Sequence, residues 1–196
     1  MRWPEKSNNR TSHFNTMKKI VMLVAMAVIS LSAFAQNWYV GGTLNAWRES
    51  SDNKTEVTIK PEVGYNFNQT WSLGGAIGWQ YNYNDGFKTN VFAISPYVRA
   101  TYARVGIVSF FVDGGFTYGL GKTKHGDLSS KTVNMWEVGF RPGLSVNINE
   151  HVGILAHVGF LGYRTANKAG KAAGLPEGGG LKLSSSDLNF GFYYNF

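Results

Sequence analysis

The chain contains no cysteine. That excludes disulfide staples, cysteine-ligated metals, thiol redox chemistry and a lipid-modified N-terminal cysteine. Long apolar runs are also scarce. The one candidate, Ile20 to Leu31, is interrupted only by Ser30. It is too short for a spanning helix, which needs about 20 residues. An excess of charge is scarcer than it first looks. The formal net charge is +7, but five of the nineteen basic side chains and one of the twelve acidic ones fall within residues 1–35. The remainder carries fourteen against eleven, a net +3, so the basic balance is no argument for nucleic acid as a partner.

Residues 1–35 have the layout of an export signal. Met17, Lys18 and Lys19 make a basic start, the apolar run follows, and Ala33-Phe34-Ala35 makes a small-x-small cleavage site before Gln36. Residues 1–16 are polar and unpatterned, and they read as lying upstream of a start at Met17. Residues 36–196 are expected to form one domain.

What that domain has in abundance is glycine, with 24 in the chain, and aromatic side chains, 15% of residues. It also has period-two alternation. The last strand is the clearest case. Leu188, Phe190, Phe192, Tyr194 and Phe196 share one face, while Asp187, Asn189, Gly191, Tyr193 and Asn195 share the other. Similar segments run through Trp38–Ala46, Thr55–Phe67, Trp71–Tyr83, Phe92–Tyr102, Val108–Tyr118, Trp136–Val146 and Val152–Phe160. One greasy face and one polar face per strand is the pattern of a transmembrane β-barrel, with lipid outside and the polar face inside. Closure pairs every edge, which stabilises an exported domain that has no disulfide. The expected fold is all-β: an eight-stranded, antiparallel, up-and-down transmembrane barrel.

The connections alternate as well. Short turns are expected near 68–70, 103–106 and 147–150, and longer loops near 48–53, 84–89, 120–131 and 164–185, with Gly178-Gly179-Gly180 in a mobile loop. Short periplasmic turns opposite longer outer loops put both ends of the domain in the periplasm. Pro61, Pro96 and Pro142 each lose a ladder bond and read as bulge or strand-end sites.

With leader, strand count, loop alternation and aromatic C-terminus in view, residues 36–196 resemble the small outer-membrane barrels of the OmpA/OmpX type, within the porin-like group. The resemblance implies the bacterial outer membrane as location, a monomer, and contact with outer-membrane lipid and lipopolysaccharide. The strand ending at Phe196 resembles the aromatic-ended signal read by the barrel-assembly machinery. No peptidoglycan-binding segment follows Phe196, so the cell-wall anchoring of larger relatives is not expected.

The faces opposite the apolar ones should line the lumen. They carry Tyr39, Asn45, Trp47, Glu56, Lys60, Glu62, Gln80, Asn82, Tyr97, Arg99, Asp113, Glu137, Arg141 and His157. Eight strands enclose a space just wide enough for side chains to fill. The expectation is a lumenal polar network of Glu56, Lys60, Glu62, Arg99, Asp113, Glu137, Arg141 and His157, paired by charge. Glu137 and Arg141 should each pair with a neighbouring strand, Arg99 or Asp113 being the candidates. The competing function is a proton or ion path.

Other motifs are weaker. His125, His151 and His157 are too scattered for a zinc site, which needs three or four clustered ligands. His125 with Asp127, Ser129 and Ser130 contains the residue types of a lipid-modifying hydrolase, but a solvated loop has the same composition. Gly121-Lys122-Thr123 imitates the end of a phosphate loop, with Phe116 where that motif needs glycine. No catalytic residue, metal or cofactor is assigned. The outer loops are cationic, with Lys122, Lys124, His125 and Lys131 in one and Arg164, Lys168, Lys171 and Lys182 in another. Lys122, Lys124, Lys131, Lys168 and Lys171 are candidate contacts for lipopolysaccharide phosphates. The expected role is structural, adhesive or binding through the outer loops. The alternatives are a narrow porin, an outer-membrane lipid-modifying enzyme and, last, a soluble lipocalin-like barrel.

Overall fold

A computed structural model describes residues 37–50, 53–125, 130–183 and 188–196. The leader assigned to residues 1–35 lies outside the described residues, as do Asp127 and Ser129.

Ten strand segments build the sheet. They are β1 (Trp38–Glu49), β2 (Lys54–Asn66), β3 (Trp71–Asn84), β4 (Phe87–Val105), β5 (Val108–His125), β6 (Lys131–Asn147), β7 (Val152–Val158), β8 (Phe160–Ala166), β9 (Gly178–Lys182) and β10 (Leu188–Asn195), with one helical turn, α1 (Lys168–Ala172), between β8 and β9. β1 to β7 pair in chain order, all antiparallel, and β10 bridges β7 and β1. That closes the barrel.

Eight staves result, because the last two are interrupted. β7 and β8 both pair with β6, on either side of Gly159. Between Gly143↔His157 and Phe140↔Leu161, two residues of β6 oppose three of the partner stave. This is a one-residue bulge. Gly159 has φ +153, and a Cβ there would meet Leu183 Cδ2 at 2.5 Å. β9 continues the stave of β10 alongside β8, so Gly178-Gly179-Gly180 lie in a paired strand and not in a loop. Pairing with β8 supplies their backbone partners, and the absence of Cβ lets Gly179 approach the Tyr163 ring.

The bulge has a consequence for facing. Val152, Ile154 and Val158 keep the outward parity, but Phe160 turns inward and is 2% exposed. Arg164 turns inward with it. Pro61 and Pro96 sit inside continuous strands, where one flanking ladder skips two successive pairs without changing register. Pro142 adjoins the bulge.

The turns at one end are short and capped locally. Asn68 Oδ1 accepts from the backbone N–H of Thr70 and Trp71 at 2.8 and 2.9 Å, and Asn149 Oδ1 does the same for His151 and Val152 at 2.9 and 2.7 Å. At the other end, the expected 84–89 loop is only Asp85-Gly86, with φ +42 and +84, the two positive values of a tight hairpin turn. Of the expected 120–131 loop, residues 120–125 and 131 are strand. β4 and β5, at 19 and 18 residues, are far longer than the roughly ten needed to span the apolar band, so they project past it.

The outer surface of the barrel is a belt of Leu44, Ile59, Leu73, Ile77, Phe92, Ile94, Val138, Phe140, Phe190 and Phe192, all exposed. Aromatic pairs flank the belt: Trp38 with Tyr65 and Tyr194 with Phe196 at the inner end, Trp136 with Tyr163 at the outer. So large an exposed apolar surface is stable only against lipid.

Candidate functional site

Alternation sends odd-numbered residues of β1, β4, β5 and β6 and even-numbered residues of β2 and β3 inward. On the inner half of the barrel these side chains fill the lumen. Tyr39 and Tyr97 hydroxyls meet at 2.8 Å. Arg99 donates to both oxygens of Asp113, Nε at 2.7 Å and Nη2 at 2.8 Å, and His157 Nε2 lies 2.8 Å from Asp113 Oδ2. Lateral register makes this possible, since Arg99 and Asp113 are directly opposed across β4 and β5. The guanidinium lies 4.3 Å from the Phe111 ring centroid, within cation–π range.

Glycine makes the room. A Cβ on Gly64 would sit 2.2 Å from Tyr39 Cζ, on Gly74 2.4 Å from Tyr97 Cζ, and on Gly143 2.5 Å from Phe111 Cζ. Rings from β1, β4 and β5 therefore lie over bare backbone of β2, β3 and β6. With Leu155 and His157 of β7, and Gly191 of β10 against Leu155, every stave contributes to one closed layer.

A second charged group sits farther out. Glu137 accepts from Arg141 on its own strand and forms an ion pair with Arg164 of β8, and both guanidinium groups lie over the Phe160 ring, at 5.1 and 3.9 Å. This corrects two expectations. Asp113 stands directly across from both Arg99 and Arg141 and takes its two guanidinium hydrogen bonds of 2.7 and 2.8 Å from Arg99, while Glu137 is met by Arg141 and Arg164 rather than by Arg99 or Asp113. Arg164 belongs to the lumen and not to the outer loop, because the Gly159 bulge inverts the parity beyond it.

The outer half of the lumen is divided. Over β4, β6 and β8, the segment after β8 folds inward: Val91, Val133, Ala166 and Leu175 form a buried apolar cluster, with Met135 and Ala169 packed on it. Asn167 caps α1 by accepting from Gly170 N–H at 3.0 Å. Over β1, β2 and β3 there is instead a polar vestibule of about 730 Å³, lined by Asn45, Glu56, Lys60, Glu62, Gln80 and Asn82 among others. Gln80 Nε2 lies 3.4 Å from Glu56 Oε1.

The cationic candidates are arranged otherwise than as loops. Lys122 and Lys124 lie on the outward face of β5 beyond the belt residue Leu120, and both are exposed. Lys88 of β4, missed from sequence because 84–89 read as loop, is the direct cross-strand partner of Lys124. Lys131 begins β6, and Lys168 and Lys171 are on α1, with Lys171 paired to Glu177. Lys182 lines the vestibule.

His125 ends β5 and stacks on Phe87, with centroids 4.3 Å apart. His151 Nδ1 lies 2.9 Å from the Asn195 carbonyl at the inner turn. The three histidines do not converge, and among the described residues no group of His, Asp and Glu could hold a metal. Gly121-Lys122-Thr123 is extended strand, not a phosphate loop.

The chain is similar to solved structures, and with the first of these it shares the fold. The N-terminal β-barrel domain of Pseudomonas aeruginosa OprF matches at 14% identity, covering 83% of this chain and 98% of that one, with a TM-score of 0.53. Neisserial surface protein A matches at 15% identity over 81% and 97%, TM-score 0.48. Ail, the attachment invasion locus protein of Yersinia pestis, matches at 16% over 82% and 97%, TM-score 0.43. The comparison with curated proteins finds no match. The model of the outer membrane protein beta-barrel domain matches residues 21–196. Family, belt and closed sheet agree: the chain belongs to the outer membrane protein beta-barrel domain family, with its termini at the periplasmic side.

Proposed function

We propose that this barrel is a non-conducting, monomeric envelope protein that works from its outer end, holding lipopolysaccharide through phosphate contacts on its rim. The observation that carries the non-conducting part is the inner lumenal layer. Tyr39, Tyr97, Arg99, Phe111, Asp113, Leu155 and His157 occupy the section, and three of their rings fill the space above glycine. A porin would need that section open.

The rim supports the binding part. Lys88 and Lys124 face each other directly across two strands, an arrangement that costs stability unless an anion lies between them. Lys122 lies two residues from Lys124 on the same face. Phosphate oxygens would relieve the repulsion through charge-assisted hydrogen bonds. Lys131, Lys168 and Lys171 would extend the contact around the rim. Assembly is proposed to proceed through recognition of the strand ending at Phe196 by the barrel-assembly machinery, after removal of residues 1–35.

Two measurements test the reading. In planar bilayers the purified protein is expected to give no sustained conductance, and steady channels would refute the blocked lumen. Lysine-to-glutamine changes at 88, 122, 124, 168 and 171 are expected to reduce co-purifying lipopolysaccharide, and unchanged retention would refute the rim contact.

A further inference from the structure

Small residues hold open the polar space beyond the inner layer. In that layer glycine makes way for rings, and a Cβ on Gly64, Gly74 or Gly143 would strike one. Gly78 is different. It is buried and lines the polar vestibule, yet a Cβ there would find nothing nearer than Lys60 Cγ at 3.7 Å. Its direct partner on β4 is Ala93, which lines the same cavity. Residue 78 could carry a side chain without displacing anything, and it carries none.

Glu62 is the innermost β2 residue lining that space. It is 8% exposed, and its Oε1 has no hydrogen-bond partner among the described residues. Register gives the reason. Its direct cross-strand neighbours are Gly41 on β1 and Ala76 on β3, neither of which has a side-chain donor. A buried acceptor left without a donor is costly and uncommon. The cavity beside it therefore suits a molecule that brings an O–H or N–H.

The rest of the wall narrows the choice. Five acidic and five basic side chains line the cavity, so it favours neither sign of net charge. Lys60, two residues from Glu62 on the same face, stands opposite Thr43, and Thr58 stands opposite Gln80. A cation drawn to Glu62 would also meet Lys60, and an anion drawn to Lys60 would meet Glu62. A hydroxyl both donates and accepts, so neighbouring hydroxyls on one ligand can serve both. Trp47, opposite Glu56, adds an aromatic surface to the lining, suited to the C–H face of a sugar ring.

We infer that the vestibule is a binding site for a neutral saccharide, one ring of which donates a hydroxyl to Glu62 in the space beside Gly78 and Ala93. The cavity volume, about 730 Å³, falls in the usual range for small-molecule sites. It far exceeds the roughly 30 Å³ that one water occupies. Neither the rim lysines nor the sealing of the inner layer takes part in this site, so it stands or falls apart from them.

The test is saturation-transfer NMR, followed by titration, on the purified barrel in dodecylphosphocholine, a detergent whose head carries no sugar. The probes are glucose, galactose, mannose, N-acetylglucosamine, maltose and lactose, with putrescine and succinate as a small cation and anion. Saturable one-to-one binding of at least one saccharide is expected, with neither charged probe bound. Glu62→Gln keeps an acceptor but loses the charge assistance, and is expected to weaken that binding about ten-fold. Gly78→Leu, checked for folding by its heat-dependent gel mobility, is expected to abolish it by filling the space. Displacement of the bound saccharide by lipopolysaccharide would identify a lipid-borne sugar as the source, and persistence would identify a free one. Absence of saturable saccharide binding, or binding of putrescine or succinate instead, would overturn the inference in wild-type protein alone. Unchanged affinity in folded Gly78→Leu would place the sugar elsewhere and overturn the site.

Discussion

Removing Arg99 while keeping Asp113 should be among the most damaging single changes in the lumen. Arg99 and Asp113 are 8% and 6% exposed and joined by two hydrogen bonds of 2.7 and 2.8 Å. Arg99→Met keeps most of the side-chain volume but strips the Asp113 carboxylate of both guanidinium hydrogen bonds, while His157 Nε2 stays at 2.8 Å. Breaking a buried pair from one side costs about 3–5 kcal/mol, because the surviving charge stays out of water. That corresponds to two to three and a half powers of ten in the folding equilibrium, at about 1.4 kcal/mol per tenfold. The double change Arg99→Met/Asp113→Leu removes both charges, and replacing a whole buried pair is often neutral or better. It should therefore recover most of the loss. The assay is reversible urea unfolding of the barrel in lipid vesicles, followed by tryptophan fluorescence, on wild type, both singles and the double. A single-variant loss under about 1 kcal/mol would show that water screens the pair as it does at a surface. Strictly additive losses would show that the two side chains do not act as a unit. Either result would refute the description of a sealed inner layer.

Three further outcomes are expected. Gly64→Val should cost about 1–3 kcal/mol from overpacking, because its Cβ would lie 2.2 Å from Tyr39 Cζ; the same change in a Tyr39→Ala background should cost clearly less, read by the same unfolding assay. Gly86→Val, at φ +84 in the outer β3–β4 turn, should destabilise by about 1–2 kcal/mol through backbone strain and leave the inner layer untouched, so its effect should add to that of Arg99→Met. Deleting Phe196, whose N–H bonds the Trp38 carbonyl across the β10–β1 closure at 3.0 Å, should lower the yield of heat-modifiable barrel in cells more than in refolding with detergent. Equal losses in both settings would argue that Phe196 serves closure alone rather than recognition by the assembly machinery.

The sequence by itself determined the class of fold and which way most side chains face. Period-two alternation is a local property of each strand, and lipid on one side and a narrow lumen on the other leave only one way to place the two faces. Tyr39, Lys60, Glu62, Tyr97, Arg99, Asp113, Glu137, Arg141 and His157 could therefore be assigned inward from parity alone. What tertiary structure decided was everything that depends on register. Arg99 meets Asp113 because the β4–β5 register puts them opposite each other. Glu137 collects Arg141 and Arg164 because the bulge at Gly159 turns Phe160 and Arg164 inward, against the parity of the preceding segment. Lys88 joins the lysine row only because the outer hairpin is two residues long. A bulge adds one residue to one strand without a fixed local signature, and pairing between strands far apart in sequence is set by the closed sheet as a whole.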